Sequence, residues 1–272
     1  MACTPGTITV TNTDDNGLGS LRNAVASAGA CPGSTVNFSV TGTITLQSRI
    51  LINAPMTITG PGAQSLTVSG NHATRIFCVG SGTTAAFSGT VNINGLTLAN
   101  GYGKGGDSPF GGGGGAGMGG AIFQNGGNLN VSGVVFSGNQ AQGGASPSCC
   151  LSGGGGFGGD GLSTNGGSGG DLGGLGGQNA GSGGPGAGGG GQQVQGIGGA
   201  GGFGGGGGTG YNYLGGAGGF GGGGGADMEG PGGPGGYGGG SASETVEARA
   251  RVLAARFLPT SIHSSEGVKQ IV

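Results

Sequence analysis

Val91-Asn92-Ile93-Asn94-Gly95-Leu96-Thr97-Leu98 alternates apolar with polar residues, breaks phase at one glycine, and then alternates again. Leu129-Asn130-Val131-Ser132-Gly133-Val134-Val135-Phe136 follows the same template. Two shorter runs, Met56-Thr57-Ile58-Thr59-Gly60 and Leu66-Thr67-Val68-Ser69-Gly70-Asn71, carry its halves separately. Alternation sends every second side chain to the same face of a strand. Two strands meeting at a glycine or asparagine corner, recurring with inward Val, Ile and Leu, describe the rungs of a solenoid. Alternation alone leaves strand direction open, so an antiparallel sandwich is the competing architecture.

Working outward, further short strands are expected at Val36 to Val40, Ile44 to Leu46 and Ile76 to Val79, separated by Gly, Pro and Asn. Upstream, Leu21, Ala24, Val25 and Ala28 fall at helical spacing, with Ser20 as N-cap and Gly29 just past the end. Cys3 and Cys31 bracket this unit and are the candidate disulfide; such a bridge would stabilise the chain by about 3 kcal/mol. Two unbridged thiols are the alternative. Cys78 reads as a small core residue, and the adjacent Cys149 and Cys150 as a vicinal disulfide or a soft-metal pair that lacks partners.

Composition narrows function. Charged residues make up 7% of the chain, and only Arg22, Arg49, Arg75 and Lys104 are basic before residue 249, too few to neutralise a phosphate backbone. Nucleic acid is therefore not an expected partner. No run of 18 apolar residues marks a membrane span. The start carries no leader pattern, which leaves a cytosolic chain or a removed leader, and glycine-rich solenoid composition favours export with the leader removed.

The blocks Gly17-Leu18-Gly19-Ser20-Leu21-Arg22-Asn23-Ala24-Val25, Pro32-Gly33-Ser34-Thr35-Val36-Asn37-Phe38, Thr57-Ile58-Thr59-Gly60-Pro61-Gly62 and Gly119-Gly120-Ala121-Ile122-Phe123 resemble bacterial secreted right-handed parallel β-helix proteins with a Ser-Leu-Arg-Glu-Ala-Ile-like cap. The resemblance covers roughly residues 5 to 140. It implies a helix-capped first rung and cell-surface anchoring or autotransport, and it names no ligand. Asn23 and Val25 replace the usual Glu and Ile, which removes a capping-box partner.

Residues 151 to 240 hold 51 glycines in 90 positions, so they cannot bury a side-chain core. Gly198-Gly199-Ala200-Gly201-Gly202-Phe203 recurs 17 residues later at Gly215-Gly216-Ala217-Gly218-Gly219-Phe220. Two states are open: a bundle of extended helices with about three residues per turn, bonded through backbone amides, or a flexible coil. Phe157, Phe203, Phe220, Tyr211 and Tyr213 would anchor a bundle's rim to the solenoid. The segment is also similar in composition to glycine-rich repeats of mycobacterial surface proteins.

Residues 241 to 272 lose the glycines and carry four of the eight basic residues. A short amphipathic helix, Glu244 to Leu258, is one reading. Rejoining the third base of each codon to the first two of the next gives another. The rejoining spans Ser241 to Leu258, and from Ser243 onward permitted codons spell Gly-Asp-Gly-Gly-Gly-Ala-Gly-Ala-Gly-Phe-Gly-Gly-Ala-Ile-Phe, whose end repeats Ala116-Gly117-Met118-Gly119-Gly120-Ala121-Ile122-Phe123 with Phe for Met. The expectation is a frameshift near residue 240, with the glycine segment an insertion between rungs.

Catalytic chemistry is scarce. No Asp or Glu lies between Asp15 and Asp107, so the rungs lack the paired acids that polysaccharide cleavage needs. Asp14 and Asp15 read as turn residues, His72 as a corner, and Arg49 and Arg75 as solvated edge charges. Gly155-Gly156-Phe157-Gly158-Gly159-Asp160-Gly161-Leu162-Ser163 fits a calcium-binding nonapeptide once, without the tandem copies such sites need. Gly103-Lys104-Gly105 lacks the spacing of a phosphate loop.

The sequence therefore predicts an all-β chain: an N-terminal strand and capping helix over 1–34, right-handed parallel β-helix rungs over 35–140, a glycine-rich insertion over 141–240 that is a polyglycine II-like bundle or disordered, and a tail over 241–272. The expected function is a non-enzymatic, secreted or cell-surface structural and adhesive protein, with no cofactor or metal. Its partners would be surface glycans, a host or neighbouring cell surface, or copies of itself. Polysaccharide binding or cleavage is the second class and ice binding the third, the latter from Thr7-Ile8-Thr9-Val10-Thr11 and Thr43-Ile44-Thr45.

Overall fold

The computed structural model describes residues 3–80, 87–147, 151–169, 172, 174–227 and 229–242. The tail beyond 242, Cys149, Cys150 and the second calcium candidate at Asp171 lie outside the described residues. The chain opens with β1 (Thr7–Val10), α1 (Leu21–Ala30) and β2 (Thr35–Phe38). It continues through β3 (Gly42–Thr45), β4 (Ile50–Ile52), β5 (Met56–Thr59), β6 (Leu66–Ser69) and β7 (Phe77–Val79). Next come β8 (Thr90–Asn94), β9 (Thr97–Ala99), β10 (Tyr102–Lys104) and β11 (Ile122–Gln124), then β12 (Asn128–Ser132), β13 (Val135–Ser137) and β14 (Gln140–Gln142).

These strands form four sheets, ordered β1-β2-β5-β8-β12, β3-β6-β9-β13, β4-β7-β11 and β10-β14. Every pairing between named strands is parallel, which removes the antiparallel sandwich. From β3 to β9 the chain visits the second, third and first sheets in one repeating order.

The registers align the apolar positions into columns. In the first sheet Ile8, Val36, Ile58, Ile93 and Val131 stand one above another; in the second, Ile44, Val68, Leu98 and Phe136 do. Val36, Ile58, Ile93, Ile44, Val68 and Leu98 are fully buried in one core. The phase break seen in sequence is a real corner. Gly95 and Gly133 both sit at φ 62°, where a side chain is strained, and each hands the chain from the first sheet to the second.

The helix α1 packs beside β1, β2 and β4. Ser20 caps it by accepting the Asn23 amide, and Leu21, Ala24, Val25 and Ala28 are its buried face. Gly29 lies inside the helix, which ends at Ala30 with Cys31 as C-cap, two residues later than the sequence suggests. A Cβ at Gly29 would meet nothing within 4 Å. Gly29→Ala should therefore stabilise the protein by about 0.5–1 kcal/mol, read as a higher urea midpoint at unchanged slope. Cys3 and Cys31 form a disulfide with Cα atoms 5.6 Å apart, tying the N-terminus to the end of α1.

Candidate functional site

The glycine-rich segment is a block held by its backbone. Gly206, Gly207 and Gly208 donate to the carbonyls of Gly155, Gly223 and Gly199 at 2.8, 2.9 and 2.9 Å, and Thr209 returns to the first neighbour at Ser152. Successive amides thus point to three different neighbours with a period of three. Adjacent passes also bond in register: Gly190 to Gly181, Gly199 to Gly190, Gly208 to Gly199, Gly216 to Gly208 and Gly225 to Gly216. The block recruits an earlier run as well, since Gly113 donates to Gly207, Ala116 to Gly204 and Gly155 to Gly113. The sequence boundary at 141 missed this, because a run flanked by strands looks like a loop until neighbours on several sides satisfy its amides.

One hydroxyl cluster sits inside. Ser108, Ser152 and Thr209 are buried; the Ser108 and Ser152 hydroxyls lie 2.8 Å apart, and the Ser152 amide donates to Thr209 Oγ1 at 2.8 Å.

The block docks on the outer face of the third sheet, where Leu51, Cys78 and Phe123 share a column. Leu51 is exposed, but Cys78 and Phe123 are buried with Phe157 and Leu172. Phe123 and Phe157 rings lie 4.5 Å apart, and the Arg75 guanidinium sits 4.3 Å from the Phe157 centroid. Arg75 Nε also donates to the Met118 carbonyl at 2.9 Å. Arg75 is thus a buried cation on an aromatic wall, where the sequence suggests a solvated edge charge. Of the five expected rim aromatics, Phe157 packs in this docking core. Phe203 and Phe220 instead stack on each other at 5.2 Å, Phe220 stacks on Tyr237 at 5.8 Å, and all three are exposed. Each is followed by a glycine of positive φ, so the repeat presents one ring per turn.

Beside the docking core lies a cavity of about 390 Å³ lined by Arg49, Arg75, Lys104, Phe157, Asp160 and neighbouring glycines. It joins cations from the strand region to the first turn of the glycine block. Lys104 pairs with Asp107 at 2.5 Å, and Asp107 accepts the Ala145 amide at 2.7 Å. Asp160 accepts the Asp107 amide at 2.7 Å. Among the described residues no cluster of three metal-ligating side chains occurs.

The Lys104 hydrogen bond, then the Ala145 amide, hold the Asp107 carboxyl below its ordinary 3.8, and the same bond to Asp107 raises Lys104 above 10.5. The pair's contribution is complete between those values. It is lost as pH falls through the depressed acid pKa, and again as pH rises through the raised lysine pKa. Both side chains are about a third exposed, so it is worth under about 1 kcal/mol. Asp107→Asn should destabilise the protein at neutral pH, and the difference from wild type should shrink in urea titrations at about pH 3.

Asp15 does more than turn the chain. It pairs with Arg22 at 2.7 Å and accepts the Gln47 amide at 3.1 Å, while Arg22 donates to the Ser48 and Arg49 carbonyls at 2.6 and 2.9 Å. This joins α1 to the loop before β4; the resemblance block contains Arg22, but its partners lie up to 27 residues away. Asn71 and His72 both have φ 54°, in keeping with a corner. Outward polar residues also align: Thr7, Thr35, Thr57, Asn92 and Asn130 form one column, with Asn92 donating to Thr57 and Asn130 to Asn92 at 3.1 and 2.9 Å.

No helix among the described residues is long and apolar enough to cross a membrane. The chain matches no protein-family model, no curated protein and no solved structure.

Proposed function

We propose that the protein is a non-enzymatic, exported surface protein: a stiff stack of β coils carrying a polyglycine II-type module that serves adhesion. The carrying observation is the bonding around Gly206 to Thr209, where a threefold backbone period matches a helix of three residues per turn. A block built this way is rigid without a side-chain core, so its turns hold their residues in fixed positions. For the stack, parallel registers and the repeating visit to three sheets support a parallel β-helix, and crossovers between parallel strands are right-handed in about 98% of cases.

Phe203, Phe220 and Tyr237 are the proposed contact residues. Aromatic rings on a rigid scaffold present large area at little ordering cost. Immobilised protein tested against whole cells and a panel of surface polysaccharides should retain one or more of them. A Phe220→Ser, Tyr237→Ser double variant should lose at least about tenfold in affinity. Product release from a polyuronate would replace this reading with an enzymatic one; no retention on any surface would remove the adhesive role.

A narrower reading, binding of acid-bearing polysaccharide, is favoured by Arg49, Arg75 and Lys104 lining one cavity. It requires polyuronates to outcompete neutral glucans in the same panel. Ice binding has the column Thr7, Thr35 and Thr57 in its favour, and absence of thermal hysteresis removes it.

A further inference from the structure

The three main sheets all end on one pass of the chain: β11, β12 and β13 are the terminal strands. The apolar columns lose their cover there. Ile93 is fully buried, but Val131 on top of it is 40% exposed; Leu98 is fully buried, but Phe136 on top of it is 53% exposed. Val135 adds another exposed apolar side chain at 45%. Inward-facing core positions left uncovered beside an unpaired strand edge are a surface that another strand layer fits.

The chain itself carries a description of that layer. The glycine run that bonds to the block through Gly113 and Ala116 passes through Gly119 and Gly120 directly into β11. With permitted codons, the second frame of the tail spells the same passage, Ala-Gly-Phe-Gly-Gly-Ala-Ile-Phe against Ala116 to Phe123. A break of frame also suits the block. Gly239 donates to Gly236 and Ala242 to Gly233, so a new pass has begun by Ala242, and the second-frame glycines extend it.

We infer that the open end of the stack is the seat of a further coil encoded in this second frame. Its Ala-Ile-Phe lies on Ala121-Ile122-Phe123, and the residues that follow add one strand each to β12 and β13. The inference rests on the stacked-coil reading. A second copy of the chain would also meet an apolar end, but it gives no reason for the junction sequence to occur twice.

The test compares the 272-residue chain with a frame-restored chain. The latter is made by inserting one nucleotide before codon 243 and reading on into the gene. Val131→Cys and Ile93→Cys are placed separately in each, and alkylation is read by mass spectrometry at that peptide. Val131→Cys should label at least about tenfold more slowly in the frame-restored chain, with Ile93→Cys protected in both. Equal labelling of Val131→Cys in the two chains overturns the inference. So does its protection in the 272-residue chain together with a dimer in sedimentation, which assigns the end to a second copy. If Ile93→Cys labels as fast as Val131→Cys in the 272-residue chain, the stacked-coil reading fails instead. Hydrogen exchange at the Val131 and Ser132 amides gives the same comparison without substitution. Gene codons that cannot yield glycine at the shifted positions also end the inference.

Discussion

Gly206→Val should destabilise the protein by about 3 kcal/mol, enough to lower its urea midpoint sharply. A Cβ at Gly206 would land on the Gly113 carbonyl, which is backbone and cannot rotate away. Relief would require parting two passes of the block. Gly206 donates to Gly155 and accepts from Gly189, so displacing it also strains bonds to other neighbours. Gly240→Ala is the control: nothing lies within 4 Å of its added carbon, and the cost should stay under about 0.5 kcal/mol. Similar losses at both positions would mean that close packing of naked backbone does not hold the block together.

The second large effect concerns two residues that share a column. Ile93→Ala should cost about 3 kcal/mol and Val131→Ala less than about 1 kcal/mol, although the two positions are register partners. Ile93 is fully buried, so truncation leaves a cavity between Ile58 and Val131; Val131 is 40% exposed and leaves none that water cannot fill. Denaturant unfolding of the two variants measures the contrast directly. Equal losses would contradict a stack whose last layer is open.

How much of this was legible beforehand varies by element. Alternation in Val91 to Leu98 and Leu129 to Phe136 named the strands, and the glycine between the halves named the corner, because both signals are local. The helix was legible from Ser20 and the spacing of Leu21, Ala24, Val25 and Ala28; its end was misplaced because Gly29 is a common stop signal that here sits within the last turn. The contacts that position the cavity were not legible. Asp107 meets Asp160 across 53 residues, and Arg75 meets Met118 across 43, with no period linking them. Glycine content showed that a side-chain core was impossible, but it left order and disorder equally open. What decides between them is whether passes far apart in sequence bond to one another, as Gly206 does to Gly155.

The backbone-held block also responds to temperature differently from the strand stack. Unfolding apolar columns raises the heat capacity, whereas exposing peptide groups lowers it, by about 0.26 cal/K/mol per Å². The block, glued by amides, should therefore melt with a heat-capacity increment per residue well below that of the Val, Ile and Leu columns. Scanning calorimetry of the whole chain at several pH values would read this as an unusually flat stability curve. Chilling loosens oily contacts, and it leaves peptide-to-peptide bonds almost untouched; at low temperature the glycine half would be the firmer partner of the two.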